Sequence, residues 1–387
     1  MNVLNLNAEI TNGQKNLNNT VRANIINELE NRELITDVRE FKINSYAFGY
    51  FNIAKEFDID QILASSFHTK KMSVTTDENA IIFLPLIGYF FFSLKNEKLW
   101  IEIDNTDYSC SRIRSQITGE MVDFRFEESL FIPDTQIELT TRSNFYSKHQ
   151  LELARNANGR NIGDPTVITN HTKYFPLICQ AIEAIASIDE EQHKEILMLC
   201  SNIVLFEADE IIAFTSIDVH GMIFIKPTST CNTVFFIDHI IHECSHIALN
   251  CVLADLERYF KVDPFLTIYN SPFRKGEKRG VYHTIHACFV LARLSSFYGK
   301  YLPEVEGTEF YNDVVGRLLL NIARLEEGIS YINDENIYTD QGKKILNYLN
   351  TILVESKNAF AELILNYDVS DQPIEFDINL FLKTNNL

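Results

Sequence analysis

The stretch Phe235-Phe236-Ile237-Asp238-His239-Ile240-Ile241-His242-Glu243-Cys244-Ser245-His246-Ile247-Ala248-Leu249-Asn250 decides how the chain is read. No Pro or Gly occurs from Asn232 to Asp263, and Pro264 follows as a stop signal, so the pattern predicts a helix here, with a loop-rich connection beyond it from Val262 to Gly280. Residues four apart lie one above the other on a helix, so His242 and His246 can reach a single metal ion. Glu243 follows the first histidine and points beside that site. Cys244 is two residues from each histidine, faces another way, and reads as packing.

A helical histidine pair needs a further ligand to hold a catalytic metal. Downstream, His283 and His286 fall on the next predicted helix, Tyr282 to Tyr298, one turn apart, and the spacing leaves both open. Just before them runs Ser271-Pro272-Phe273-Arg274-Lys275-Gly276-Glu277-Lys278-Arg279-Gly280, a basic loop in an acidic chain. Arg274 and Arg279 each offer a planar fork of donors matched to a carboxylate.

Together these residues resemble a family. His242, Glu243 and His246, then Pro272-Phe273-Arg274, then Arg279 seven positions before His286, with Phe289 three beyond it, resemble the HExxH-type, 2-oxoglutarate- and iron-dependent peptide β-hydroxylases. The similar region runs from about Phe214 to Tyr298. The resemblance implies that His286 is the third metal ligand and that Arg279 or Arg274 binds the co-substrate. It also implies a peptide substrate made by the ribosome. Members often carry Pro after the second Arg, where this chain has Gly280.

Two chemistries compete for the motif. With Zn²⁺ on His242, His246 and a third ligand, Glu243 is the general base of a metallopeptidase or amidohydrolase. With Fe²⁺, three histidines leave positions for 2-oxoglutarate and O₂, parallel to the oxygenases that use two histidines and a carboxylate. The iron reading needs a cation for the distal carboxylate of 2-oxoglutarate, and the basic loop supplies one. The favoured expectation is therefore an Fe(II)/2-oxoglutarate dioxygenase that hydroxylates a side-chain β-carbon of a peptide. Glu243 then serves as a hydrogen-bonding residue beside the metal.

The net charge of −19, from 34 Lys+Arg against 53 Asp+Glu, opposes binding to nucleic acid or an anionic membrane. The N-terminus has no basic and apolar signal segment, and the apolar run from Ala80 to Leu94 is short and interrupted by Pro85 and Gly88. Seven irregularly spaced cysteines fit a reducing compartment. A cytoplasmic protein is expected.

The fold expected is α+β. A helix-rich metal-binding domain over 161–387 carries a small, mostly antiparallel sheet feeding the motif helix. Residues 1–160 form an N-terminal α/β region of unassigned fold that can bind a peptide or partner. The boundary is placed in the polar stretch Asn156 to Pro165. Strands are expected at Ile81–Leu84, Tyr89–Phe92, Leu99–Asp104, Ile203–Phe206, Ile211–Phe214 and Met222–Ile225. Helices are expected at Tyr174–Ile188, around His193–Cys200, at Phe310–Ile332 and at Asp340–Leu365. His220, beside a turn, reads as solvated, and Asp371 to Leu387 as a weakly ordered tail.

Overall fold

The structure, a computed structural model, describes residues 6–31, 43–53, 59–64, 71–103, 107–156, 163–266, 268–270 and 278–387. Part of the boundary stretch (157–162) and the segment Ser271–Glu277, with Arg274, lie outside the described residues.

In chain order the elements begin with α1 (Leu6–Asn31), α2 (Ser45–Asn52) and α3 (Ile59–Leu63). Short strands follow: β1 (Lys71–Thr75), β2 (Ile81–Leu84), β3 (Gly88–Phe91), β4 (Lys98–Glu102), β5 (Arg112–Ser115), β6 (Arg125–Glu128), β7 (Leu130–Phe131) and β8 (Glu138–Thr140). Then come α4 (Phe145–Asn156), β9 (Thr166–Val167), α5 (Phe175–Ile188), α6 (Glu190–Leu199), β10 (Asn202–Glu207), β11 (Ala213–Thr215) and β12 (Met222–Ile225). The remainder is α7 (Thr233–Val252), β13 (Ile268–Asn270), β14 (Lys278–Gly280), α8 (Val281–Tyr301), α9 (Tyr311–Ile332), α10 (Asp340–Ala359), α11 (Ala361–Asn366) and α12 (Ile378–Thr384). The fold is α+β.

The chain forms two compact units, each discontinuous in sequence. One comprises Met1–Gln14, Phe175–Leu199 and Ser229–Leu387; the other comprises Lys15–Tyr174 and Cys200–Thr228. The chain therefore crosses between units several times, where the sequence suggests a single boundary near 160/161. Strands β10, β11 and β12 precede the motif helix in sequence but belong to the other unit.

The helical unit is built on α7 and α8. Helix α8 packs against α7, α9 and α10, and α5 packs on α7. Apolar residues surround α7: Val234, Phe236, Ile237, Ile240, Ile241, Ile247, Ala248 and Leu249 are all buried, as expected of a helix in the centre of a core. Asn232 caps its start, accepting the Phe235 N–H at 2.9 Å. The helix ends at Val252, well before the loop-rich connection expected from Val262. No residue in that interval breaks a helix intrinsically. Tertiary pairing ends it instead: Tyr259 and Phe260 are buried, Phe260 bridges to Tyr338, and the Tyr259 carbonyl accepts the Thr339 N–H at 3.1 Å.

The C-terminal segment also differs from expectation. Residues 378–384 form α12, capped by Asp377, whose carboxylate accepts the Asn379 and Leu380 N–H groups. Phe381 is fully buried and lies against Gly316 of α9 together with Phe376. In place of the expected weakly ordered tail stands a capped helix with one aromatic anchor. The long helix expected over Asp340–Leu365 is broken at Phe360 into α10 and α11.

Among the described residues, the other unit holds three sheets. Two are three-stranded and antiparallel, in the orders β1-β4-β5 and β2-β3-β6. The third, ordered β11-β12-β10-β8-β7, is mixed, because β10 runs parallel to both β12 and β8. Strand β4 alternates buried and exposed residues as expected, with Leu99 and Ile101 inward. His220 is buried against the Phe48 ring at 4.9 Å, and burial lowers its pKa to about 4. The solvated reading of His220 is therefore corrected: Val219 and Met222 on either side are core residues and carry it inward. No described helix is long and apolar enough to cross a membrane.

Candidate metal centre

Helices α7 and α8 bring three histidines into one row. His242 and His246 stack one turn apart, their ring centroids 5.1 Å apart. His286 of α8 faces His246 with centroids 5.5 Å apart and planes 24° from parallel. The Nδ1 atoms of His246 and His286 lie 3.2 Å apart. The structure therefore separates the two downstream histidines. His286 is buried beside His246, whereas His283 is exposed and turned toward Phe265 and Tyr282. Tyr282 covers the other side of His286, with ring centroids 4.5 Å apart.

All three rings sit where charge is disfavoured. Burial lowers the His242 pKa, against the pull of Asp238. Burial holds His246 well below the ordinary value, assisted by His242, His286 and Arg279. Burial lowers His286 to about 3, assisted by His283. Neutral imidazole is the form that binds a metal. Glu243 is buried as well, and burial, then the Glu375 carboxylate, pushes its pKa well above the carboxylate range. Its Oε2 and the Nε2 of His286 are buried atoms without a hydrogen-bond partner.

These observations test the site against a metal. Two nitrogens each ~2.1 Å from one ion, at an angle of ~100°, are ~3.2 Å apart. The His246–His286 separation has that value, which a hydrogen bond between the rings also has, and burial favours the neutral imidazole in each ring, so the donor set is compatible with a metal. Among the described residues, however, no three His, Cys, Asp or Glu side chains converge as a metal-binding group. The fit is thus carried by the His246–His286 pair, with His242 in ring contact.

A buried ionic network supports His242. Asp238, one turn before it on α7, accepts the Tyr298 hydroxyl at 2.7 Å and pairs with Arg317 at 3.3 Å. Arg317 also pairs with Asp313 at 2.8 Å, and Asp313 accepts from the Asn232 side chain at 3.0 Å. Burial opposes the Asp238 charge, but Arg317, His239, the Tyr298 hydroxyl and His242 outweigh it and hold its pKa below the usual range. The C-terminal segment adds Glu375, whose carboxylate lies 3.9 Å from His239 Nε2 and acts on both His242 and Glu243. Sequence reasoning missed Asp238 and Glu375. The i, i+4 spacing from Asp238 to His242 was a usable signal, but nothing local marks Glu375, 133 positions beyond His242.

Arg279 lies in β14, which pairs with β13 and leads directly into α8. It is partly buried, and its charge depresses His246. Gly280 caps α8 where a Cβ would lie 2.6 Å from the Pro264 carbonyl oxygen and 2.9 Å from that of Phe265. A bare backbone is needed for this approach, which accounts for glycine after Arg279. No family profile and no curated protein matches the chain.

Proposed function

We propose that the protein is an Fe(II)/2-oxoglutarate-dependent dioxygenase that hydroxylates a side-chain carbon of a peptide, in the cytoplasm. The observation that supports this over zinc hydrolysis is Arg279: a cation whose field reaches His246 beside the three-histidine row. A dicarboxylic co-substrate requires a counter-charge for its distal end, and Arg279 is a cation of that kind.

His242, His246 and His286 would hold the iron, and Arg279 would hold the distal carboxylate of 2-oxoglutarate. Bound there, iron and 2-oxoglutarate would supply the chemistry of C–H hydroxylation by O₂, with succinate and CO₂ as the co-products. The residues of the chain position and exclude. Asp238, itself fixed by Tyr298 and Arg317, lies one turn below His242 and acts on it by its charge. Tyr282 packs over the His286 ring and shields it from water. Glu243, buried beside the ligands with its Oε2 unpartnered, is placed to hydrogen-bond there.

The test is anaerobic addition of Fe²⁺ and 2-oxoglutarate to the purified chain. A visible charge-transfer band that is lost in His286→Ala and weakened in Arg279→Ala is the expected result. Absence of the band, together with amidase activity under Zn²⁺, would replace the proposal with the hydrolase.

A further inference from the structure

In the unit formed by Lys15–Tyr174 and Cys200–Thr228, a cavity of about 1010 Å³ opens along two strands that belong to different sheets. One wall is Ser73 to Thr76, from β1 and the residue after it; another is Ile81 to Phe83 of β2. Both strands are terminal in their sheets among the described residues: β1 pairs with β4, and β2 with β3. The turn between them is tight. Asp77 accepts the Asn79 and Ile81 N–H groups on its carboxylate, and Ala80 takes a left-handed φ of 62°. Beyond that turn the strands part into separate sheets instead of closing a hairpin. Two backbone edges then flank one cavity, and such edges carry N–H and C=O groups suited to another strand.

The third wall begins α4. Asn144 is 7% exposed, and its Oδ1 accepts the Ser147 N–H at 3.0 Å. Asn144 lines the cavity, and its Nδ2 is buried without a hydrogen-bond partner. A buried amide donor without an acceptor is costly, and an incoming carbonyl would relieve it. Phe83, Tyr89 and Phe145 add aromatic surface, while Lys98 and Lys148 are balanced by Asp77 and Glu78. That lining disfavours a highly charged ligand and suits a neutral chain of amides. The five residues of β1 present about 16 Å of edge.

We propose that this groove binds an extended segment of the peptide substrate, outside the residue that is modified. The segment adds as a strand to β1, with Asn144 Nδ2 donating to one of its carbonyl oxygens. The identity of the occupant rests on the peptide-modifying reading above; the groove itself does not.

The probes are twelve-residue peptides recovered by panning a displayed random library on the full chain, then resynthesised with a fluorophore. Binding is read by anisotropy without metal or 2-oxoglutarate, so it is independent of the iron assay. Asn144→Asp keeps the oxygen that caps α4 and removes the donor, and about a tenfold loss of affinity is expected. N-methylation along the peptide backbone should abolish binding at every second position. That series alters only the ligand, so a folding defect in the variant cannot imitate it. Equal binding by Asn144→Asp, tolerance of N-methylation without a two-residue period, or recovery of no peptide tighter than about 100 µM overturns the proposal. Peptide binding without the iron band would keep the groove and remove the oxygenase; the band without peptide binding would do the reverse.

Discussion

The Nδ1 atoms of His246 and His286 face each other at 3.2 Å across 40 residues of sequence. The contact exists because α7 and α8 pack side by side, each with one imidazole turned into the seam. It also assigns different work to His286 and its neighbour His283, one turn away on the same helix.

Replacing His286 by Ala should lower Fe²⁺ affinity by more than the tenfold to hundredfold, roughly, that follows loss of an outer hydrogen-bonding partner. His283→Ala, at an exposed position, should leave it within about threefold. Calorimetric titration of both variants with Fe²⁺ under anaerobic conditions makes the comparison. Equal losses would contradict the assignment.

Arg279→Ala should weaken 2-oxoglutarate binding by roughly thirtyfold to a hundredfold, the worth of a charge-assisted fork. Metal affinity should stay within a few-fold, since Arg279 acts on His246 by its field and is not a ligand. Co-substrate titration of the iron-loaded variant reads this. If Arg274→Ala gives the larger loss, the co-substrate cation is Arg274.

Removing Asp238 should destabilise the helical unit. Asp238→Asn takes one of two carboxylates from the buried Arg317, and the cost is about 3 kcal/mol. Tyr298→Phe, losing one bond of 2.7 Å to the same carboxylate, should cost about 1–2 kcal/mol. Urea denaturation of both variants gives the values, and a double variant near the cost of Asp238→Asn alone shows that the residues act together.

The contribution of Glu138 to the other unit should fall as pH rises, opposite in sign to that of the buried His220. Glu138 is buried among Tyr46, Ser129 and Asn202, and burial raises its pKa to about 7 despite their hydrogen bonds. The folded form holds its proton more tightly than the unfolded chain. Its contribution is therefore complete below the unfolded pKa, near 4.5, and declines as pH rises toward 7. The decline is on the order of 3 kcal/mol. Glu138→Gln should flatten the stability profile over that window, as measured by thermal melts at stepped pH. An unchanged slope would refute the assignment.

Phe381→Ala should cost about 3–4 kcal/mol and loosen the C-terminal segment, because the ring is fully buried at Gly316. Hydrogen exchange over 371–387 should rise in the variant. Fast exchange there already in the parent chain would restore the view of a tail.

Local pattern carried much of this protein. Strand β12 and the body of α9 follow from continuous apolar runs or a 3.6-residue period, which depend only on neighbours in sequence. The His242–His246 pair needs no more than the rise and turn of a helix. Other features came from packing between distant segments. His286 is distinguished from His283 by which face of α8 meets α7. Helix α7 stops at Val252 because Tyr259 and Phe260 find partners at Tyr338 and Thr339. Glu375 reaches the neighbourhood of Glu243 because Phe381 anchors α12 on α9. The divided course of the chain between two units has the same origin: residues 200–228 pair with strands laid down some sixty positions earlier, a choice made by long-range burial and hydrogen bonding that no window of sequence contains.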